Sequence, residues 1–333
     1  MKSLKVKPFV RRWCLRFAIA YCAVVAAGCL WIWFDTEDRG LTALVLYGPR
    51  WMASLPLALL IPLAIFARSW WCVYMVSAAA LGMAFPLMGG RVAISTNFDP
   101  PPAYARYRVM TWNAGGVHSM AAFKKAQDEF HPDIILIQES PSNLTSADFP
   151  PNFKFIEGPG GLRLASVYPG RFQEGIGSDS LSLPGNAARF ALDTPDGQIT
   201  VYNVHLPTVR PGFEVAVHSK LANLSELRKV LPLQAKASNI VRDWMGSPAG
   251  KTVIAGDFNM PVESACYRRD WGVFQNSFSE AGNGWGGTKM TSWHRVRIDH
   301  VLYGAPFHCR NCFIGNDLGS DHRPLIADLT LED

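Results

Sequence analysis

Three apolar runs without a charged residue fill most of the first ninety positions, and they limit this chain more than any other feature. Residues 17–34 form an 18-residue run that follows six basic residues, Lys2, Lys5, Lys7, Arg11, Arg12 and Arg16, with no acidic partner among them. At 1.5 Å per residue such a helix is about 27 Å long, enough for a bilayer core. Pro49-Arg50 interrupts the next run. An arginine at mid-bilayer costs roughly 2.5–3.5 kcal/mol, so the second span is placed at 51–67, with 41–47 interfacial. Pro56 and Pro62 are expected to kink it. Arg68 and Trp70-Trp71 read as a short interfacial turn, and 71–88 supplies the third run. Residues 1–92 are therefore expected to be a membrane region with three transmembrane helices.

The charges support a direction for these spans. Seven basic residues flank them on one side, against Arg39, Arg50 and Arg91 on the other, so the positive-inside bias places the N-terminus in the cytoplasm. An odd number of spans then puts everything after Gly90 outside the cytoplasm, as a multi-pass cell-membrane protein with an outer domain. A competing reading is a cleaved signal, since Arg11-Arg12 is twin-arginine-like and Ala26-Ala27-Gly28-Cys29 is lipoprotein-like; the two further apolar runs speak against it. Residues 1–102 carry 10 Lys+Arg against 4 Asp+Glu, and residues 103–333 carry 22 against 23. The net charge of +5 thus belongs to the membrane region, and the outer domain has no charge argument for nucleic acid.

Residues 93–105 contain three consecutive prolines and read as a stiff linker. Residues 106–333 then form one α/β domain of ordinary size. In it, apolar strands repeatedly end in a turn bearing polar groups: 108–112 before Asn113, 133–138 before Glu139, 198–204 before His205, and 252–255 before Gly256-Asp257-Phe258-Asn259. Asp299 lies in the strand expected at 297–303, and Asp321-His322 precedes a strand at 325–329. Thr194-Pro195-Asp196-Gly197 marks a hairpin, and 213–245 reads as helical with a break at Pro232. Cys309 and Cys312 form a disulfide or remain free thiols; zinc would need more ligands than His308 adds.

Singly, each of these polar residues has a structural explanation. Asn113 and Asn259 could cap turns, Glu139 and Asp257 could cap helices, and a lone histidine is usually structural. Recurrence at strand ends argues for convergence. Carboxylates about 4 Å apart repel by roughly 4 kcal/mol at an effective dielectric near 20, so a cluster of Glu139, Asp257 and Asp321 would need a cation. Oxygen donors with few histidines favour Mg2+ or Mn2+. Arg189 could meet a phosphate or serve as an ion-pair partner. His300 follows Asp299 in a strand and should face the other way, and His118, His218, His294 and His308 match no motif.

Together, Thr-Trp-Asn113, Ile-Gln-Glu139, Asn-Val-His205, Gly-Asp257-Phe-Asn259, Ile-Asp299-His and Gly-Ser-Asp321-His322 resemble the ordered motif set of the endonuclease/exonuclease/phosphatase superfamily. That superfamily includes pancreatic-type deoxyribonucleases, abasic-site endonucleases, neutral sphingomyelinases and inositol polyphosphate 5-phosphatases. The resemblance implies a four-layer α/β sandwich, two mixed sheets flanked by helices, with the motifs at one rim. It also implies roles. Glu139 would be the principal Mg2+ ligand with Asn113 beside it, and Asp321 a secondary metal or site-organising carboxylate. Asp257 would orient and deprotonate the attacking water, and Asn259 would hold that geometry. His322, paired to Asp299, would contact the phosphate, and His205 would serve the phosphate or the leaving oxygen.

Hydrolysis of a phosphate ester or anhydride is thus expected. The substrate is set by loops outside the shared motifs. A nearly neutral domain tethered to a bilayer suits a lipid-linked (pyro)phosphate, and the layout resembles bacterial membrane members of the superfamily linked to glycopeptide resistance, with an undecaprenyl-pyrophosphate-type substrate as the analogy. Two alternatives stay open: an extracytoplasmic nuclease acting on DNA or RNA, and an inactive membrane-tethered binding module.

Overall fold

The computed structural model of the protein describes residues 8–93 except 37, and 106–331 except 116, 118, 119, 178–185, 249, 292 and 293. Of the expected linker 93–105, residues 94–105 lie outside the described residues. The chain divides into two compact units, Met1–Gly90 and Arg91–Asp333.

In the first unit, Pro8–Phe34, Arg50–Ala67 and Trp70–Leu87 are helical segments long and apolar enough to cross a membrane. The second begins as the 3-10 turn Arg50–Ser54 and continues as the α-helix Leu57–Ala67, which contains Pro62. The Arg50 guanidinium donates to the carbonyls of Leu46 at 2.8 Å and Leu87 at 3.0 Å, so its charge is met by backbone oxygens. Small side chains, among them Cys14, Ala18, Ala64, Ala67 and Cys72, meet where the helices pack, which lets the backbones approach closely. Phe17, Val24, Trp33, Leu59, Ile65 and Trp70 remain exposed, an outward apolar surface suited to lipid.

The second unit takes in residues ahead of the expected domain start. Arg91 exchanges backbone hydrogen bonds with Gly284 at 2.8 and 2.9 Å, and the Ala93 amide donates to the Asn283 side chain at 3.0 Å. Its strands are β1 Arg106–Asn113, β2 Ile134–Gln138, β3 Phe155–Glu157, β4 Arg163–Ser166, β5 Gly170–Ile176, β6 Asn186–Thr194, β7 Gly197–His205, β8 Thr252–Asp257, β9 Gln275–Asn276, β10 Lys289–Met290, β11 Arg295–Val296, β12 Asp299–Tyr303, β13 Phe307–Ile314 and β14 Leu325–Leu331. β10 and β11 form a separate two-stranded pair, and of two six-stranded sheets one runs β13-β14-β1-β2-β4-β3 and the other β5-β6-β7-β8-β12-β9. Each is mixed: β1 lies parallel to β2 and antiparallel to β14, and β8 lies parallel to β7 and antiparallel to β12.

The sheets pack face to face through Val109, Ile134, Leu136, Val201, Val253, Val301 and Leu325. Outside the first sheet, Phe123, Ala126 and Phe130 of helix Met120–Phe130 cover Trp112, Ile135 and Ile137. Outside the second, Val241 and Met245 of helix Ser225–Met245 cover Tyr202, Val204 and Ile254. Four layers result, two mixed sheets between helices. Burial on both faces explains why β2 reads Ile-Ile-Leu-Ile-Gln without alternation.

Three details depart from the sequence reading. The helical stretch breaks at 219–224, between helices Arg210–His218 and Ser225–Met245. Lys220 and Leu221 there adopt φ of 52° and 66°, the left-handed region that ends a helix, and the Asn223 side chain accepts from the Ser225 amide at 2.9 Å to start the next. Pro232 lies inside the second helix without ending it. The strand expected at 297–303 starts two residues later, as β12 at Asp299. Cys309 and Cys312 are buried free thiols.

Candidate active site

Strand register assembles the site. His205 of β7 lies opposite Asp257 of β8, and Asp257 lies opposite Asp299 of β12. Residues paired in register point to the same face, so three consecutive strands of the second sheet present an imidazole and two carboxylates side by side. In the first sheet Asn113 of β1 pairs with Gln138 of β2, and Glu139 follows immediately. The loop before β14 is joined to β1 by the Ser320 hydroxyl, which donates to the Asn113 carbonyl at 2.8 Å. All these positions share one rim of the sandwich.

Beneath the rim, a polar clamp ties the two sheets together. Gln138 donates to the Asn203 side-chain oxygen at 2.7 Å, and Asn203 donates to the carbonyls of Ile137 and Arg163 at 3.0 and 2.9 Å. Every member is satisfied, as a buried network must be to stabilise. Gly256 explains the first letter of the Gly-Asp-Phe-Asn motif. Its φ is +152°, and a Cβ there would overlap the Val204 carbonyl of the neighbouring strand.

Asp257 is the buried centre of the arrangement. Its Oδ1 accepts from the Asn259 amide at 2.8 Å and its Oδ2 from Asn113 Nδ2 at 2.9 Å. The Asn259 side chain in turn donates to the Leu206 carbonyl at 2.8 Å. His322 Nε2 lies 3.6 Å and His205 Nε2 3.9 Å from the same Oδ2. Burial, then the neighbouring Asp299, pushes the Asp257 pKa above the usual carboxylate range despite both histidines and Asn113. Two rim residues adopt left-handed backbone: Asn259, two residues after Asp257, has φ of 52°, and Glu139 at the end of β2, a residue type that seldom adopts it, has φ of 49°.

His322 bonds through Nδ1 to Asp299, at 2.9 Å to Oδ2 and 3.1 Å to Oδ1. Burial alone would lower the imidazole pKa, but Asp299 and then Asp257 outweigh it and raise it to about 9. The imidazolium therefore carries the positive charge between two buried carboxylates. Asp257, Asp299 and His322 lie within 4.8 Å of one another, a spacing that suits a metal, yet Nδ1 is already bonded to Asp299 and the proton serves as the counter-charge.

A divalent cation fits better at Glu139. Asp257 and Asp299 are offset by His322, and Asp321 is held by Lys289 and by Arg210 at 3.2 Å. Glu139, with its side chain 48% exposed at the rim, has only the His205 imidazole at 3.7 Å as an ion-pairing neighbour among the described residues. Its Oε1 accepts from Asn113 Nδ2 at 3.0 Å. Asn113 thus bridges Glu139 and Asp257 through its amide hydrogens, while its Oδ1 accepts from the Gly115 amide at 2.9 Å, so in this arrangement it orients two carboxylates. The Asp321 pKa, which burial would raise, is brought below the usual range by Lys289, His322 and Arg210.

The structure thus gathers Asn113, Glu139, His205, Asp257, Asn259, Asp299 and His322 at one rim, and sets Asp321 beside them within a cationic pair. Lys289 and Arg210 were absent from the sequence reading, because neither stands in a motif. Arg189 pairs with Glu174 across β5 and β6, which leaves it a structural role. His300 is buried away from the rim, Nε2 to the Met260 carbonyl at 2.9 Å. His118 lies outside the described residues.

The Endonuclease/Exonuclease/phosphatase family model matches residues 110–322, from β1 through His322. Among solved structures, an endonuclease/exonuclease/phosphatase family protein from Bacteroides thetaiotaomicron is 13% identical with a TM-score of 0.50, covering 70% of this chain and 100% of that one. An endonuclease/exonuclease/phosphatase from Beutenbergia cavernae DSM 12333 is 19% identical over 68% of this chain and 72% of its own, with a TM-score of 0.46. The human Nocturnin catalytic domain with bound sulfate is 15% identical over 68% and 94%, with a TM-score of 0.47. No curated protein matches the chain.

Proposed function

The chain belongs to the Endonuclease/Exonuclease/phosphatase family, and from that membership we propose that it is a membrane-anchored, Mg2+-dependent hydrolase of a lipid-linked (pyro)phosphate acting outside the cytoplasm. Family members are metal-dependent phosphoesterases, nucleases and phosphatases, and this chain is an enzyme of that class. One observation carries the site reading: the buried Asp257 Oδ2 has Asn113 Nδ2 at 2.9 Å and the Nε2 atoms of His322 and His205 at 3.6 and 3.9 Å. A carboxylate with a raised pKa is thus surrounded by donors at the open rim.

In this reading Glu139 holds the cation, oriented through Asn113. A divalent cation there would neutralise charge on the phosphate oxygens. Asp257 orients a water and takes its proton as the new P–O bond forms, a role that its raised pKa suits. The Asn259 amide fixes the Asp257 carboxylate. The His322 imidazolium, held by Asp299, faces the phosphate and stabilises negative charge as it develops. His205, on the Glu139 side of Asp257, serves the leaving oxygen as its bond to phosphorus breaks. Asp321 organises the neighbouring cations.

The lipid reading is supported by three helices long and apolar enough to cross a membrane and by the near-neutral charge of residues 103–333, with 22 basic and 23 acidic side chains. Duplex binding usually relies on a basic surface. The positive N-terminal flank supports a cytoplasmic N-terminus and an outer catalytic unit. The test uses the full chain in detergent with Mg2+ or EDTA, offered a polyprenyl diphosphate or single- and double-stranded DNA. Metal-dependent phosphate release from the lipid without DNA cleavage is expected; DNA cleavage without lipid turnover would replace this reading with a tethered nuclease.

A further inference from the structure

Beside His322 lies a charge arrangement that the roles above leave unused. β10 pairs with the loop carrying Asp321 and His322: the Met290 amide donates to the Asp321 carbonyl at 2.7 Å, the Arg323 amide donates to the Thr288 carbonyl at 2.8 Å, and Lys289 stands directly opposite His322. The Lys289 ammonium is therefore carried to the Asp321 carboxylate, with its side chain only 10% exposed. From the other side Arg210, at the start of helix Arg210–His218, reaches the same Asp321 Oδ2 at 3.2 Å with its side chain 49% exposed. Asp321 Oδ1 lies 3.9 Å from His322 Nε2.

Two fixed cations share one carboxylate, so one positive charge is left over, next to the imidazolium that faces the scissile phosphate. A desolvated ammonium and a guanidinium side by side are a donor set for a phosphate with two charged oxygens. We propose that Lys289 and Arg210, aligned by Asp321, form a second phosphate subsite adjoining His322, and that the substrate is accordingly a diphosphate ester. The inference rests on the phosphoesterase reading above and narrows its substrate. The two phosphates of a diphosphate share one bridging oxygen and can occupy neighbouring positions one carboxylate apart, whereas successive phosphates of a nucleic acid are separated by a sugar. A terminal phosphate also carries close to two charges at neutral pH, against one on a diester.

Binding and turnover test this separately. Calorimetry of the full chain in detergent and EDTA, with inorganic pyrophosphate or orthophosphate as titrant, needs neither a lipid nor an active enzyme. Wild type is expected to bind pyrophosphate at least ten-fold more tightly than orthophosphate. Arg210→Gln should reduce that preference below three-fold and Arg210→Lys should retain most of it, a rescue that a purely structural role would not give. Lys289→Gln should act like Arg210→Gln; since it also loosens the Asp321 loop, the exposed Arg210 variants decide the matter if it fails to fold. With Mg2+, Arg210→Gln should lower kcat/KM for farnesyl diphosphate at least ten-fold through KM, and lower it for farnesyl monophosphate far less. An undiminished pyrophosphate preference in Arg210→Gln, or none in wild type, would overturn the subsite. Loss of the preference in Arg210→Gln of an enzyme that cuts only DNA would leave a pyrophosphate-binding pair but overturn both the diphosphate-ester substrate and the lipid reading.

Discussion

Replacing Asp299 by Asn should convert His322 from a permanent cation into one that titrates near neutrality. The substitution keeps the shape of the group bonded to Nδ1 at 2.9 Å and removes the first of the two carboxylates that raise the imidazole to about 9. That elevation above 6.5 corresponds to roughly 3 kcal/mol in favour of the imidazolium. Without Asp299, burial pulls the pKa back to about 6.5 or below. At pH 8 the charged fraction then falls from about nine-tenths to about 3%, so kcat should drop by about 30-fold or more. At pH 5.5 the loss should shrink to within about three-fold, because the imidazole is protonated again. The assay is Mg2+-dependent hydrolysis of a chromogenic phosphate ester, reported as the ratio of variant to wild type across pH; loss of Asp299 also lowers the Asp257 pKa, which adds to the recovery at acid pH. A pKa raised by folding also makes a stability contribution that is present in full below pH 6.5 and lost as pH rises through about 9; the variant should lack that alkaline loss. A ratio that stays flat between pH 5.5 and 8 would refute the imidazolium role.

Other perturbations follow from the same geometry. Glu139→Gln should weaken Mg2+ binding by more than about ten-fold in calorimetry, equivalent to about 1.4 kcal/mol, with the melting temperature unchanged because the side chain is 48% exposed. Asn203→Ala should cost about 1–3 kcal/mol in urea unfolding, since it strands the buried Gln138 amide and the carbonyls of Ile137 and Arg163. His300 is buried with its pKa lowered to about 4, so its contribution is intact above pH 6.5 and lost as pH falls toward 4, about 3 kcal/mol in all. His300→Gln should flatten that acid-side slope when urea midpoints are compared at pH 7.5 and 4.5.

The polar chemistry at strand ends was legible because apolar strands end in Asn113, Glu139, His205 and Asp257; the two mixed sheets and the shared rim followed from the resemblance of those motifs to the family. Strand alternation also placed His300 away from Asp299, as its bond to the Met260 carbonyl requires. The Lys289 and Arg210 pair was not legible. Each lies in an unremarkable stretch, and only the pairing of β10 with the 321–323 loop brings Lys289 to Asp321. For the same reason the cations that meet Asp321, read from the sequence as a secondary metal or site-organising carboxylate, could not be foreseen. The Gln138–Asn203 clamp joins two sheets, and local pattern carries no information about contacts of that range. Pro232 misled because a proline inside a helix costs about 3 kcal/mol, a cost offset here by burial of Leu227, Leu231, Ala237 and Val241. The break instead follows the left-handed conformations of Lys220 and Leu221, which neither residue type signals.

The most direct measurement is phosphate-ester hydrolysis by the full chain and by Asp257→Ala and His322→Ala, each with Mg2+ and with EDTA, alongside thermal melting of the same samples. Wild type should turn over only with Mg2+, and both variants should lose about a thousand-fold or more in kcat while retaining a cooperative melt. Variants that fold and still turn over within ten-fold of wild type would contradict the assignment of the chemistry to this rim.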